Sequence, residues 1–407
     1  MPLEREFDVI VWGATGFTGR LVAEYLKERY GVGGSLAWAL AGRNQTKLDA
    51  VRRELVAPEL PTILADGNDE ASLAAMAERG RVICTTVGPY ALYGSRLVAA
   101  CVSRGTHYCD LTGEVHWMRR MIDTHHLSAQ QAGVRIVHTC GFDSIPSDIG
   151  VLCVQREMRS RHGELATEVK SRVRGMRGGF SGGTVASMLN MMEESEVDPG
   201  VREVMSDPYG LNPEGERHGL DGPDHSVPEY DSDFGAWTTP FVMAAINTKV
   251  VRRSNALSGY AYGRDFRYDE AMLTGFGPWG FPLAAAMSVG STAFNAAAGV
   301  APLRGLLARL LPEPGEGPSA VARERGFFDI EMLGKSRHSG ARVKVRIRGD
   351  RDPGYGSTSR MLGESAVCLA KDDLQTPAGV LTPAVAMGEA LIGRLGNNAG
   401  VTFEVMP

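Results

Sequence analysis

Residues 1–150 alternate between short apolar runs and segments whose apolar residues have helical spacing. The runs include "EFDVIVW", "SLAWALA" and "RVICTTVG", and the segment after the first run places Leu21, Val22, Tyr25 and Leu26 on one face of a helix. Strands and helices that alternate in this way, with short loops, form a parallel sheet with crossover helices on both faces. The pattern therefore predicts an α/β fold with an N-terminal Rossmann-type, doubly wound parallel sheet.

The alternation stops after "GFDSIPSDIG", and we assign residues 151–407 to a second, α+β domain for substrate binding or dimerisation. "TEVKSRVRGMRG" alternates like a half-exposed strand, and "FFDIEMLGKS" and "ARVKVRIRGD" predict a hairpin of an antiparallel sheet with Val343, Val345 and Ile347 on one face. "GGTVASMLNMMEES", "YGSTSRMLGESAVCLAKD" and "AVAMGEALIGRL" predict helices of this domain. Residues 198–237 are rich in proline, glycine and acids, which predicts a long irregular stretch.

An apolar segment at about residues 278–311 does not fit this scheme. Residues 281–303 carry no charged side chain, and a stretch of this length is long enough to span a bilayer. Alanine, glycine and serine dominate the segment, however, and their transfer into lipid is weakly favourable compared with leucine. We therefore expect a buried or interfacial helical hairpin rather than a membrane span. Together with "LRGLLARLL", it is suited to rest on a membrane surface or to accept an acyl chain.

Composition and charge exclude several classes of protein. A formal net charge of −5 gives no basic surface for nucleic acid. The N-terminal "MPLEREFDVIVWG" is charged and enters a strand at once, so we expect no signal peptide and a cytoplasmic location, with peripheral contact at the inner face of the plasma membrane left open. The six cysteines show no CxxC pair and predict small buried residues in a reducing compartment. The nine histidines show no HxxxH or HxH spacing, so no metal site is predicted.

The sequence "GATGFTG" directly follows the first predicted strand and opens the first predicted helix. Its first glycine allows a sharp turn, the second lets backbone amides approach a pyrophosphate, and the third lets the helix pack closely on the sheet. The helix N-terminus adds amide donors and a favourable dipole for the phosphate charge. We assign the whole motif to dinucleotide binding: Gly13, Ala14, Thr15, Gly16, Phe17, Thr18 and Gly19.

An arginine stands where NAD-binding proteins carry an acidic residue. Arg43 ends the second predicted strand, and its planar guanidinium suits a phosphate monoester, which it can bind through two hydrogen bonds. The sequence therefore predicts NADP(H) as the cofactor. Asn44 is assigned to the same end of the cofactor, and Asp66, which ends "ILAD", to the adenine edge. The turn after the fourth strand is assigned to the nicotinamide end: Thr86, Val87, Gly88 and Pro89.

Long blocks of the sequence carry a resemblance to a known family. "GATGFTGR", "LAGRNQTKL", "TTVGPYALYG", "YCDLTGE", "CGFDSIPSDIG", "NTKVVRRSNAL", "GDRDPGYGSTSRML" and "LTPAVAMGEAL" together resemble the saccharopine dehydrogenase-like oxidoreductases, over essentially the whole chain. Within that family the sequence is similar to trans-acting enoyl reductases that work beside modular polyketide synthases. The resemblance implies NADPH-dependent reduction of a C=C bond in a growing long-chain lipid such as phthiocerol or phenolphthiocerol. A carrier-bound or small-molecule acyl substrate, a polyketide synthase partner and a homodimer are compatible with it.

Enoyl reduction needs a hydride at the β-carbon, a donor to the enolate oxygen and a proton at the α-carbon. Candidate donors follow the strands of the sheet, where ligands of this fold bind. Tyr90 is the first candidate, the alternative being a hydroxyl that is merely satisfied in the interior. Asp143 is either an acid or the residue of a structural turn. Asp110 and Glu114 could form an acid/base pair; alternatively, Glu114 is the N-terminal charge of the next helix. His138 is expected to be a core histidine with its hydrogen bonds satisfied.

Two other functions remain open on the sequence. A saccharopine-type reductase of a C=N bond would act on a multiply anionic, amino-acid-derived imine, for which Arg172, Arg174 and Arg177 could supply positive charge. The apolar segment favours a lipid instead. A scaffold that binds NADP or lipid without catalysis is the third alternative.

Overall fold

The computed structural model describes residues 5–178, 182–300 and 317–407, which form two compact units. Among these residues, the first unit contains the chain up to Ile145 together with Gly317 and Gly354–Gly400. The second unit contains the chain from Pro146 to Pro353 apart from Gly317, and ends with Val401–Pro407.

A seven-stranded, wholly parallel sheet forms the centre of the first unit. Its strands are β1 (Phe7–Trp12), β2 (Trp38–Gly42), β3 (Thr62–Leu64), β4 (Gly80–Thr85), β5 (His107–Cys109), β6 (Arg135–Val137) and β13 (Gly379–Leu381). They lie in the order β13-β6-β5-β4-β1-β2-β3. The apolar β1 is buried along its whole length, as expected for a strand whose sheet is covered on both faces. The predicted Rossmann-type sheet is confirmed.

Helices cover this sheet and connect its strands. They are α1 (Phe17–Tyr30), α2 (Gln45–Glu54), α3 (Glu70–Arg79), α4 (Tyr90–Tyr93), α5 (Ser95–Arg104), α6 (Val115–Gln131), α13 (Thr358–Lys371) and α14 (Pro383–Arg394). α13 packs against β1, β4 and β5 and is buried along almost its whole length. The six cysteines of the chain are all buried, and none forms a disulfide.

Residues 354–400 lie in the first unit, whereas the change of pattern after residue 150 predicted them in the second domain. The reason is the pairing of β13 with β6, which adds a parallel strand to the edge of the first sheet and draws α13 and α14 with it. Helical periodicity identifies α13 and α14 correctly but does not indicate which sheet they cover.

The second unit is built on a seven-stranded sheet that is mostly antiparallel. Its strands are β7 (Glu168–Arg177), β8 (Glu229–Asp231), β9 (Ala236–Pro240), β10 (Arg267–Phe276), β11 (Phe327–Lys335), β12 (Arg342–Gly349) and β14 (Val401–Val405), in the order β14-β12-β11-β7-β10-β9-β8. β7 and β10 pair in parallel, and the other pairs are antiparallel. The predicted hairpin is β11 and β12, with Val343, Val345 and Ile347 buried on its inner face.

The helices of the second unit are α7 (Ile145–His162), α8 (Gly182–Val197), α9 (Pro199–Ser206), α10 (Ala244–Leu257), α11 (Gly280–Ala298) and α12 (Ala320–Glu324). Short turns of 3-10 or π geometry lie at Gly277–Trp279, Pro353–Ser357 and Leu395–Ala399. The stretch at 198–237 is less irregular than predicted, since it contains α9, β8 and the start of β9. Asp198 caps α9 by accepting from the amide of Gly200, and Pro199 occupies the first helical position.

α11 accounts for most of the apolar segment that the sequence singled out. It is one helix of 19 residues, so the turn of the predicted hairpin does not fall within Gly280–Ala298. It packs on β9 and β10, and the Ser288 hydroxyl lies 3.0 Å from that of Thr239. No helix in the described ranges has the length and hydropathy to cross a bilayer. Residues 301–303 and "LRGLLARLL" lie outside the described residues.

Candidate functional site

The glycine motif forms a tight turn between β1 and α1. Gly13 has φ +87°, and a Cβ there would lie 2.6 Å from Cγ2 of Val87. A Cβ at Gly19 would lie 2.2 Å from the carbonyl oxygen of Gly13, so the helix and the turn approach too closely for any side chain. Gly16 begins α1 without a side-chain hydrogen bond to cap it. A helix start of this kind accepts an anion, so the turn fits the pyrophosphate of a dinucleotide.

The other side chains of the motif have distinct environments. Ala14 is fully buried, and Thr15 and Thr18 are half-buried, so their hydroxyls lie near the surface of the first unit. The ring of Phe17 packs edge-on against Tyr355, with 5.1 Å between ring centroids. These placements leave the backbone and the two threonines as the polar groups of the turn.

Arg43 follows β2 at the same edge of the sheet, and it is exposed. Within the described part of the chain its guanidinium has no hydrogen-bond or ion-pair partner. Asn44 caps α2, where its Oδ1 accepts from the amide of Lys47 at 3.0 Å. The carboxylate of Asp66 accepts from the amide of Asn68 at 2.9 Å. Of the three side chains assigned to the adenosine end, Arg43 is therefore the one without a local structural contact.

The turn after β4 is held by a buried carboxylate. The amides of Tyr90 and Ala91 each donate to Glu114 at 2.8 Å, and Glu114 is almost wholly buried. Glu114 is the N-cap residue of α6, where we expected its charge, but its side chain makes no capping hydrogen bond there, and the carboxylate caps α4 instead. The amide of Thr86 donates to the carbonyl of Trp12, which ties this turn to the end of β1. Of the assigned residues, Thr86 and Val87 thus lie beside the glycine turn, and Gly88 and Pro89 follow them directly in sequence.

Tyr90 lies in the interior of the first unit. Only 3% of its surface is exposed, its hydroxyl donates to the carbonyl of Thr85 at 3.3 Å, and its ring stacks on Trp117. Burial raises the pKa of Tyr90 well above its usual value, and the negative charge of Asp110 raises it further. These contacts favour the structural alternative, a satisfied interior hydroxyl.

Asp143 lies six residues beyond the end of β6 and is half-buried. Burial raises the pKa of Asp143 to about 7, and the negative charge of Asp110 contributes to the rise. A Cβ at Gly141 would lie 2.8 Å from Oδ2 of Asp143, so the turn folds closely around this carboxyl. A carboxyl that is partly protonated near neutral pH is a suitable proton donor.

Asp110 belongs to a buried hydrogen-bond network and not to an acid/base pair with Glu114. Its carboxylate accepts from the hydroxyl of Tyr108, from Nδ1 of His138 and from the amides of Thr112 and Thr139. His138 is only half satisfied, since its buried Nε2 has no hydrogen-bond partner among the described residues. Sequence reasoning missed this pair because the two residues are 28 positions apart and directly follow two neighbouring strands, β5 and β6.

The arginines considered for an anionic substrate are engaged by carboxylates of the second unit. Arg172 is buried and pairs with Asp231 and Asp269, and Arg174 pairs with Glu331 at 2.7 Å. Arg177 ends β7 and is exposed. Two of the three positive charges are therefore neutralised by the protein itself. The described residues contain no cluster of three or more histidine, cysteine or acidic side chains that could hold a metal ion.

Comparison with known proteins places these features in context. Residues 9–137 match the sequence profile of the saccharopine dehydrogenase NADP-binding domain. A putative trans-acting enoyl reductase of Mycobacterium tuberculosis is 46% identical over 98% of this chain and 97% of its own length. A trans-acting enoyl reductase of Mycobacterium leprae is 41% identical over 99% and 98%. The apo saccharopine dehydrogenase (L-Glu forming) of Saccharomyces cerevisiae has a similar fold, with a TM-score of 0.53, 11% identity and coverage of 98% of this chain and 99% of that chain.

Proposed function

The chain belongs to the family of trans-acting enoyl reductases with a saccharopine dehydrogenase NADP-binding domain, and we propose that it reduces the C=C bond of a carrier-bound acyl chain with NADPH. The observation that supports the proposal is the position of Asp143 in the turn after β6, where ligands of this fold bind, and the raised pKa of its carboxyl, about 7, suits a proton donor.

The residues present fit an NADP molecule. The close approach of Gly13 and Gly19 leaves no room for a side chain between helix and turn, and the start of α1 offers amides to a pyrophosphate. Arg43, exposed and without an ion pair in the described chain, suits the phosphate on the adenosine ribose. Gly88 and Pro89 would support the nicotinamide. The bound cofactor supplies the hydride that the β-carbon of the enoyl group receives.

We assign the proton of the reaction to Asp143. As the α-carbon gains its new C–H bond, the O–H bond of the carboxyl breaks and its electron pair stays on the carboxylate. The carboxylate then recovers a proton from solvent. The balance is one enoyl group, one hydride and one proton consumed for each saturated acyl group formed. We assign Tyr90, whose hydroxyl donates to the Thr85 carbonyl, to support of the turn at 86–89.

The ion pairs of the second unit disfavour the C=N alternative. A multiply anionic imine would require a cluster of unpaired cations, but two of the three candidate arginines, Arg172 and Arg174, already bind carboxylates. An enoyl substrate does not require a cluster of positive charge.

The test is turnover by the purified protein with NADPH and a long-chain trans-2-enoyl N-acetylcysteamine thioester. We expect NADPH oxidation with this substrate and none with 2-aminoadipate semialdehyde plus glutamate. Asp143→Asn should lower kcat by about 10²- to 10⁴-fold with NADPH affinity retained. Turnover of the semialdehyde would contradict the enoyl assignment, and NADPH binding without turnover of either substrate would indicate a scaffold.

We further propose that the exposed face of α11 contacts lipid, at the inner face of the plasma membrane or on the acyl chain that a polyketide synthase presents. Trp279 is 85% exposed at the start of the helix, and Phe281, Leu283 and Val289 are exposed along it. The chain carries no charge over residues 271–303. Exposed aromatic and aliphatic side chains of this kind form the lipid-facing side of interfacial helices.

Vesicle flotation tests the lipid contact. The double variant Trp279→Ser, Val289→Ser should bind vesicles of phosphatidylcholine and phosphatidylglycerol less well than the unmodified protein. Leu127→Ser, which removes an equally exposed apolar side chain from α6, is the matched control and should bind as before. If the double variant instead converts a homodimer to a monomer and leaves vesicle binding unchanged, the face is a subunit interface.

A further inference from the structure

The turn that follows β6 has an unfavourable backbone conformation. Thr139 has φ +61°, in the left-handed region, where a β-branched residue is rare and strained. Two oxygens of Asp110 hold it there. The carboxylate accepts from the amide of Thr139 at 3.2 Å, and the backbone carbonyl accepts from the amide of Cys140 at 2.7 Å. Asp110 therefore holds the first two residues of the turn, Thr139 and Cys140, and the amide of Phe142 donates to the hydroxyl of Thr358 at 2.9 Å.

His138 joins the same arrangement. Its Nδ1 lies 2.7 Å from Oδ2 of Asp110, so Nδ1 carries the hydrogen of this bond because a carboxylate only accepts. The imidazole lies edge-on against Trp117, with 5.0 Å between ring centroids. Its Nε2 is buried without a partner among the described residues, which is unfavourable for a residue whose role is only to fill the core. The orientation of His138 is instead explained by its bond to Asp110.

Asp110 also acts on Asp143 through its charge. Asp110 after β5 and Tyr90 at the start of α4 both interact electrostatically with Asp143, and α13 presents the neutral hydroxyl of Thr358 beside Gly141. Burial contributes most to the raised pKa of Asp143, and the charge of Asp110 adds to it. Neutralising Asp110 therefore lowers the pKa of Asp143.

We propose that Asp110 and His138 are positioning residues of the reductase: together they fix the turn from Thr139 to Asp143 so that it presents the Asp143 carboxyl at the edge of the sheet. The inference rests on the proposed function, in which Asp143 gives up the proton. Both side chains are buried, so neither is assigned a contact with the substrate or the cofactor.

The experiment compares pH profiles of kcat, with NADPH and a long-chain trans-2-enoyl N-acetylcysteamine thioester, for the unmodified protein and two variants. Asp110→Asn should lower kcat by about 10²-fold, as for a misplaced reacting group, and leave NADPH affinity unchanged. The same variant should move the alkaline limb of the kcat profile to lower pH, because a proton donor with a lower pKa loses its proton at lower pH. Tyr108→Phe is the matched control: it removes a hydrogen bond to the same oxygen of Asp110, Oδ2, without a bond to the turn, and should keep both kcat and the profile.

A second comparison covers the case in which Asp110→Asn does not fold. His138→Asn can still donate to Asp110 from the position of Nδ1 and should keep most of kcat, whereas His138→Phe cannot and should lose it. An alkaline limb that stays in place in Asp110→Asn, an equal shift in Tyr108→Phe, or equal rates for the two His138 variants would overturn the proposal.

A readout without turnover separates this inference from the proposed function. In protein labelled with ¹³C at the aspartate carboxyls, the Asp143 resonance is assigned as the one that is absent from the NMR spectrum of Asp143→Asn. Its titration midpoint should fall in Asp110→Asn and stay in place in Tyr108→Phe. If the midpoint falls as expected while the unmodified protein reduces no enoyl thioester, the proposed function fails and the link from Asp110 to Asp143 stands. An unchanged midpoint overturns the link whatever the activity.

Discussion

Replacing Arg43 by alanine tests the cofactor assignment most directly. Arg43 is exposed at the end of β2 and has no partner in the described chain, so its removal should leave the free protein as stable as before. The bound phosphate would lose a charge-assisted hydrogen-bond pair, which contributes about 1.5–3 kcal/mol. At about 1.4 kcal/mol for each factor of ten, NADPH should bind roughly 10- to 150-fold more weakly.

The assay is calorimetric titration of NADPH and of NADH into the unmodified protein and into Arg43→Ala. NADH lacks the phosphate on the adenosine ribose, so its affinity should change little. Because the site is exposed, salt screens the charge, and the effect should approach the lower figure as ionic strength rises.

Asn44→Ala provides the matched control next to Arg43. The Asn44 side chain caps α2, so its loss should reduce the free energy of unfolding by about 1 kcal/mol and leave the ratio of the two affinities unchanged. Equal weakening of NADPH and NADH by Arg43→Ala, or a change of their ratio in Asn44→Ala alone, would refute the assignment of the phosphate to Arg43.

Three further substitutions probe other parts of the structure. Gly19→Ala should abolish NADPH binding in calorimetry while the far-ultraviolet circular dichroism stays near normal, because the added Cβ meets a backbone oxygen 2.2 Å away. Glu114→Gln should cost about 1–2 kcal/mol in urea unfolding, since a neutral amide caps α4 less well than a carboxylate. Burial raises the pKa of Asp233, but hydrogen bonds from Lys170 and Lys335 outweigh it and lower this pKa to about 2. The Asp233 carboxylate therefore stabilises the fold above pH 3.8, and this stabilisation is lost as the pH falls to about 2. Asp233→Asn should unfold more easily at neutral pH and show a smaller loss on acidification; identical acid profiles would contradict this.

Local pattern was sufficient for the first unit up to β6. An apolar run that leads through three spaced glycines into a helix specifies its own geometry, since the turn, the close packing and the anion site arise from neighbouring residues. The sharp turn at Gly13 and the close packing at Gly19 could therefore be predicted. The hairpin of β11 and β12 was equally accessible, because period-two alternation defines its buried face.

Contacts between distant residues could not be predicted in the same way. Glu114 caps a helix that begins 24 positions earlier, and Asp110 forms a hydrogen bond with His138, which follows the neighbouring strand. Which carboxylate serves structure and which serves chemistry depends on those partners, so Asp110 and Glu114 remained ambiguous. Tyr90 was the first candidate on sequence because its burial is visible only once Trp117 and the Thr85 carbonyl surround it.

The return of the chain at Gly354–Gly400 has a consequence for how the protein is made. The first sheet lacks its last strand, β13, and the buried helix α13 until more than two hundred residues of the second unit have been synthesised. A nascent chain that has passed Ile145 therefore exposes the edge of β6 and the apolar surface that α13 later covers. We expect a fragment that stops near residue 150 to aggregate, and ribosome-bound chains to recruit chaperones until the C-terminal residues emerge.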